Sequence, residues 1–320
     1  MILTHRPFAG EADLPPIVTL VDACEEVDRL DRRTSVAESR AAFASPAVDT
    51  ARDLRLWIDE HGRLLAFGRL NIYDADAEVE GRFWLHVHPL VRGGDVEAQI
   101  IAWAEERMHA AGRERGRSAR LLTAARDDKD ARIALLEAHG FRRVRYFFTM
   151  ARPLDQPLPS PRISAGFIVR ALRGQDDAEA AAWVEVSNTS FRDHWNSVDM
   201  TVEDLRREMD APSYRPDLYL VAVAPDGLFA AFCQCVIDEE ANRRDGRKEG
   251  MVLGLGTRPE YRGLGLGRTL LLSGLRSLRA AGIETAHISV DAENPTGALG
   301  LYESAGFRTF ETWIMYRKAA

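Results

Sequence analysis

Cysteine is scarce in this sequence: 320 residues contain only Cys24, Cys233 and Cys235. An odd, sparse set makes no disulfide framework and points to a reducing compartment. No uninterrupted apolar run reaches the ~18 residues of a membrane span. The opening residues MILTHRPFAG lack the charged-then-apolar pattern of a secretory leader. A cytoplasmic protein that does not enter the membrane is therefore expected. An excess of basic charge is also missing. The net charge is -7, with -3 in residues 1–160 and -4 in residues 161–320. Neither half has the basic body that contact with nucleic-acid phosphates requires. The composition, 46% hydrophobic and 28% charged, excludes a disordered or fibrous chain. At roughly 150 residues per domain the length suggests two domains.

Two stretches resemble each other. Pro89-Leu90-Val91-Arg92-Gly93 parallels Pro259-Glu260-Tyr261-Arg262-Gly263 at an offset of 170, and Ala110-Ala111-Gly112 falls on Ala280-Ala281-Gly282. Leu135 to Phe141 parallels Leu301 to Phe307 at an offset of 166. Three ordered matches make the halves two copies of one fold. Between them lies ARPLDQPLPSPR, residues 151–162, whose four prolines oppose both helix and sheet and read as an extended linker. The expected domains are 1–152 and 165–320, joined by a Pro-rich linker at 153–164.

Periodicity places strands at Leu218–Ala224, Leu228–Val236, Met251–Thr257, His287–Val290 and Thr312–Tyr316. It places helices at Asp176–Thr189, Thr269–Ala281 and Thr296–Ser304. The earlier copy reads similarly, with strands at Leu54–Ile58, Leu64–Leu70, Phe83–Val87, Ala119–Thr123 and Arg143–Met150. The class is α/β.

The segment Arg262-Gly263-Leu264-Gly265-Leu266-Gly267-Arg268 joins a strand to a helix. Glycines there allow close approach of a ligand, and the helix N-terminus offers unpaired N–H groups and partial positive charge. That combination suits a phosphate or pyrophosphate. Arg268-Thr269 stands where a phosphate-loop NTPase has Lys-Ser/Thr, and Leu270 stands where a dinucleotide fingerprint has its third glycine.

Arg262, Gly265 and Gly267, followed by the amphipathic helix, resemble the acetyl-CoA pyrophosphate motif of the GNAT acetyltransferases. Asp291-Ala292-Glu293-Asn294-Pro295 and then Leu301-Tyr302-Glu303-Ser304-Ala305-Gly306-Phe307 resemble that family's second motif. The likeness spans about 165–318, with a weaker copy over about 4–150. Such a tandem is similar to the mycothiol synthase type within the family, whose acceptor is not carried over.

The resemblance implies two tandem GNAT folds, each a mixed, mostly antiparallel sheet flanked by helices. It implies acetyl transfer from acetyl-CoA, as cosubstrate and without a metal, to the amine of a small-molecule acceptor, in a monomer or homodimer. Backbone groups at Leu255, Gly256 and Thr257 would pair with the pantetheine arm, where the family splays two strands. One N–H near Thr257 would polarise the thioester carbonyl. Residues 262–268 would cradle the pyrophosphate, Asn294 would bond the CoA arm, and Tyr302 would protonate the leaving thiolate.

Many relatives carry an acid on the strand before the loop, but Met251 to Thr257 has none. Glu249 or Asp238 could act through water, or a neutral amine could be taken from solution. The missing acid also leaves open a non-catalytic acyl-CoA sensor. In the earlier copy Asp95 and Glu97 replace Gly265 and Gly267, and Leu136 replaces Tyr302. Two carboxylates oppose an anion, so the first domain is expected to bind CoA poorly and not to catalyse. Cys233-x-Cys235 and His86-x-His88 lack further metal ligands nearby and read as buried or rim residues. Asn242 to Lys248 reads as a solvated loop, and His194 and Trp195 as candidates for acceptor contact.

Overall fold

A computed structural model describes residues 3–320 apart from 32, 76, 174–175, 196–198, 212–213 and 295. Twelve strands run along the chain: β1 (Thr4–Pro7), β2 (Leu54–Ile58), β3 (Leu64–Asp74), β4 (Val79–Val87), β5 (Ala119–Arg126), β6 (Arg142–Pro153), β7 (Ile168–Ala171), β8 (Tyr219–Val223), β9 (Phe229–Val236), β10 (Glu249–Thr257), β11 (Thr285–Asp291) and β12 (Arg308–Ala319). They form two compact units, Met1–Arg145 with Trp313–Ala320, and Tyr146–Thr312.

In the first unit the strand order is β1-β2-β3-β4-β5-β12. All neighbours are antiparallel except β4 and β5. Leu14, Ile17 and Phe43 build a core on one face, and Ile100, Ala104 and Met108 build another with Trp57 and Phe83. In the second unit the order is β7-β8-β9-β10-β11-β6, antiparallel except for β10 with β11. Both units are α/β with mixed, mostly antiparallel sheets, as the resemblance implies.

The unit boundary differs from the one read at 152 and 165. Phe147–Pro153 of β6 pairs with β11 in the second unit, and Trp313–Ala319 of β12 pairs with β5 in the first. Each sheet thus takes its last strand from the other copy of the repeat. The proline stretch departs from its reading as a linker free of sheet: Ala151–Pro153 end β6 and pair with β11, Leu154–Gln156 bend, and the remainder, without regular structure, is bound to the second unit. Leu154 is fully buried. The Arg276 guanidinium donates to the carbonyls of Leu158 (3.2 Å) and Pro159 (3.3 Å).

The repeat offsets reappear as registers. β4 and β5 pair from Val79↔Ala119 to Arg82↔Leu122, and β10 and β11 from Glu249↔Thr285 to Val252↔Ile288. In each unit the parallel pair then separates. β10 runs on to Thr257 and β11 to Asp291 without pairing with each other. The inner edges of the resulting cleft keep backbone groups available to a ligand.

The helix Leu266–Ala280 covers one face of the second sheet by burying Leu270, Leu271, Leu275 and Leu278. Asp176 caps the helix Asp177–Phe191 through the N–H of Ala178 (2.8 Å), and Thr201 with Asp204 forms a capping box for Val202–Met209. The sequence reading had not placed a helix at Val202–Met209. Asn242 to Asp245, read as loop, completes the helix Glu239–Asp245, capped by Asp238 and closed by left-handed Gly246. Among the described residues no helix is long and apolar enough to cross a membrane.

Candidate functional site

β10 changes face midway. A side chain at Gly250 would meet Leu278 and Ile283, whereas one at Gly254 or Gly256 would meet Phe232. Strict two-residue alternation would keep all three positions on one face. The register of β10 against β9 shifts between Val252 and Gly254, and this bulge supplies the inversion. Leu253, the extra residue, is 54% exposed. In the first unit β3 pairs with β4 in an unbroken register, and Phe83, at the position of Leu253, is 1% exposed.

Past the bulge β10 packs tightly. A Cβ at Gly256 would lie 2.5 Å from a Phe232 ring carbon and 2.6 Å from Ser190 Cβ. Gly256→Ala should therefore cost about 1–3 kcal/mol of stability by overpacking, read as a lower urea midpoint with an unchanged slope.

β10 leads through Pro259–Tyr261 to the glycine loop. Gly263 (φ +79°) and Gly265 (φ +77°) are left-handed, a conformation that disfavours any side chain. The N–H groups from Gly263 to Arg268 have no hydrogen-bond partner among the described residues. They form a donor cluster at the start of a 15-residue helix. The Arg262 guanidinium is exposed and is held by a 3.3 Å bond from Nε to the Thr257 carbonyl. Arg268 turns instead to Ser304 Oγ (2.7 Å), anchoring the next helix against the loop. Ser164 Oγ donates to the Leu264 carbonyl (2.6 Å) and pins the loop from the proline stretch.

Tyr302 sits on that next helix, Ala298–Ser304, and is 6% exposed. Burial, with a smaller effect of the Cys233 thiol, raises its pKa well above the ordinary tyrosine value. It stays a neutral donor across the physiological range. The Asn294 side-chain oxygen accepts from the Thr296 N–H (2.8 Å), leaving the amide nitrogen without a partner among the described residues. Pro295 lies outside the described residues.

The carboxylates first considered as bases are engaged elsewhere. Asp238 accepts from the Ala241 N–H (2.8 Å) as a helix cap. Glu249, at the start of β10, lies 3.3 Å from Arg247. His194 packs on Phe191 and Trp195 on Phe147. Cys233 and Cys235 are buried, 3.8 Å apart. The sequence reading missed a polar cluster of Glu208, Tyr219 and Gln234 behind the bulge. Its one sequence signal was the glutamine inside the apolar strand FAAFCQCV.

The equivalent loop in the first unit is closed by its own side chains. Asp95 is right-handed (φ -81°) where Gly265 is left-handed. Glu97 is buried, and its Oε1 accepts from the Gly93 N–H at 2.9 Å. Arg92 is engaged in two bonds to Asp28, at 2.6 and 2.7 Å. Leu136 is fully buried.

Residues 180–307 match the acetyltransferase (GNAT) family. The chain is 31% identical to a mycothiol acetyltransferase of Thermobispora bispora, over 90% of this chain and 96% of that protein. It is 32% identical to a mycothiol acetyltransferase of Streptomyces coelicolor, over 98% and 96% respectively. Among solved structures, a GCN5-related N-acetyltransferase from Sphaerobacter thermophilus matches with a TM-score of 0.78 at 24% identity, covering 99% of this chain and 95% of that one. A tandem GNAT protein from the clavulanic acid biosynthesis pathway matches with a TM-score of 0.71 at 17% identity, covering 99% and 98%.

Proposed function

Because this chain belongs to the GNAT acetyltransferase family and is an acyltransferase, we propose that it moves an acetyl group from acetyl-CoA to an amine of a small-molecule acceptor by direct attack. The observation that carries this reading is the cleft between β10 and β11 beside a loop of unpartnered N–H groups. The cleft suits the extended pantetheine arm along Leu255, Gly256 and Thr257. The loop from Arg262 through Gly263, Leu264, Gly265, Leu266 and Gly267 to Arg268 suits the pyrophosphate. Arg262 supplies exposed positive charge there, while Arg268 mainly fixes the loop to Ser304. Asn294 has amide donors for the arm, and Tyr302 protonates the departing thiolate. The name shared by the relatives, mycothiol acetyltransferase, supports a small acceptor.

The first copy serves a structural role in this reading. The Glu97 side chain already occupies its loop, accepting from the Gly93 N–H. The sensor reading draws on the acid missing from Met251 to Thr257.

Calorimetric titration with acetyl-CoA, followed by a thiol-release assay over a panel of small amines, tests the proposal. One acetyl-CoA per chain and amine-dependent thiol release are expected. Binding without release from any amine favours the sensor. A second acetyl-CoA site of similar affinity contradicts the role given to the first copy.

A further inference from the structure

We propose that Glu208 takes the proton from the acceptor amine, with Gln234 and Tyr219 as its positioning residues. This inference rests on the acetyl-transfer reading. β10 carries no acid past Glu249, and Glu249 and Asp238 are engaged as described. Glu208 lies near the end of the helix Val202–Met209 and is half-buried. Its Oε2 accepts from Gln234 Nε2 at 3.0 Å and from the Tyr219 hydroxyl at 3.4 Å. Its Oε1 has no partner among the described residues and is left to accept a proton.

Gln234 connects this carboxylate to the cleft. It is 5% exposed and pairs across the sheet with Gly254, the first residue paired after the bulge. Its Oε1 lies 3.7 Å from the position a Gly254 Cβ would take. Glu208 is therefore one side chain away from Gly254, which adjoins the Leu255–Thr257 segment proposed to hold the pantetheine arm.

Strand alternation sets the sides on which the acid and the base stand. Cys233 faces Gly274 of the helix Leu266–Ala280, and Tyr302 lies near that thiol. Gln234 is the next residue and faces the opposite way, towards Glu208. The proposed acid and base thus stand on opposite faces of the sheet. Glu208 first takes a proton from the bound alkylammonium, and the neutral nitrogen then attacks the thioester carbon from the Glu208 side, forming a C–N bond. The C–S bond breaks, the sulfur takes the Tyr302 proton, and the nitrogen gives its surplus proton to solvent. Solvent then returns both groups to their starting states.

The surroundings suit a base. Burial raises the pKa of Glu208, and Asp204 on the same helix adds to this while Gln234 and Tyr219 oppose it. Nearby Tyr214 packs edge-on against Tyr219 and is uncharged at neutral pH. The neighbouring cations are committed to other carboxylates: Arg206 to Asp177, Arg207 to Glu203 and Asp204, and Arg215 to Asp217.

The test compares the unaltered protein with Glu208→Gln across pH, using acetyl-CoA and two kinds of amine. One kind is an alkylamine, protonated at neutral pH; the other is an aromatic amine, already neutral. Glu208→Gln should lower kcat for the alkylamine about 100-fold and remove the acidic limb of its pH profile. It should leave the KM for acetyl-CoA and the aromatic-amine rate nearly unchanged. Gln234→Leu should show the same dependence on amine type with a smaller loss, which keeps the test open if the first variant does not fold. Retention of rate and limb, or equal losses for both amines, overturns the role of Glu208. An unaltered protein that acetylates neither amine overturns the transferase reading, and this inference falls with it.

Discussion

Replacing Gly265 with Asp and Gly267 with Glu in one variant should weaken acetyl-CoA binding at least ~100-fold, which is about 2.7 kcal/mol. The pair copies into the second loop what the first loop carries at Asp95 and Glu97. Two effects act in the same direction. Gly265 has φ +77°, and a side chain there costs roughly 1–2 kcal/mol or forces the loop into the right-handed form of Asp95. Rotation of that peptide breaks up the cluster of N–H groups. The new carboxylates then oppose a ligand pyrophosphate. In the first unit Glu97 takes the Gly93 N–H for itself, and the variant should do likewise at Gly263. Calorimetric titration measures the loss, and far-UV dichroism checks that the fold persists. Binding within threefold of the unaltered protein would contradict the assignment of the loop.

Tyr302→Phe should lower kcat about 100- to 1,000-fold while leaving the KM for acetyl-CoA nearly unchanged. The hydroxyl is required when the thiolate departs, so its loss belongs to the transition state. Phenylalanine fills the same buried space beside Phe307, so packing survives. The pH behaviour gives a second readout. Burial raises the Tyr302 pKa in the folded state. Above the unfolded value of about 10, the folded chain keeps a proton that the unfolded chain has lost. The stability contributed by this group is therefore present below about pH 10 and declines as pH rises through the folded pKa. Tyr302→Phe should remove that part of the alkaline loss, which urea unfolding at pH 9 and 11 would show. Activity of the unaltered protein should keep no alkaline limb from Tyr302 below pH 10. A variant with full kcat would remove Tyr302 from the chemistry.

The parts of the site that were legible in sequence are local. Gly263 and Gly265 announce left-handed backbone by residue type, and the strand-loop-helix order tells where the N–H groups collect. The offsets of 170 and 166 carry the parallel register Val79↔Ala119 onto Glu249↔Thr285, although neither register could be read from sequence. Asp95 and Glu97 could be placed against Gly265 and Gly267 because the repeat is gapless there. The illegible parts depend on pairing between distant segments. Nothing near Leu253 marks a bulge, which exists only against β9. Arg143–Met150 reads as a strand from its own pattern, but its partner β11 lies far along the chain. Glu208 shows nothing in the sequence beyond an ordinary surface acid until Gln234 is seen beneath it.

The sequence by itself determined two copies of one α/β fold, a glycine loop suited to an anion in the second copy, and carboxylates at that loop in the first. These follow from residue type, since glycine permits left-handed backbone and carboxylates repel anions. Only the tertiary structure decided which strands complete each sheet, where β10 inverts its faces, and which carboxylate stands behind the cleft. Those features arise from hydrogen-bond registers and burial between remote segments, and a one-residue shift in register turns every side chain to the other face.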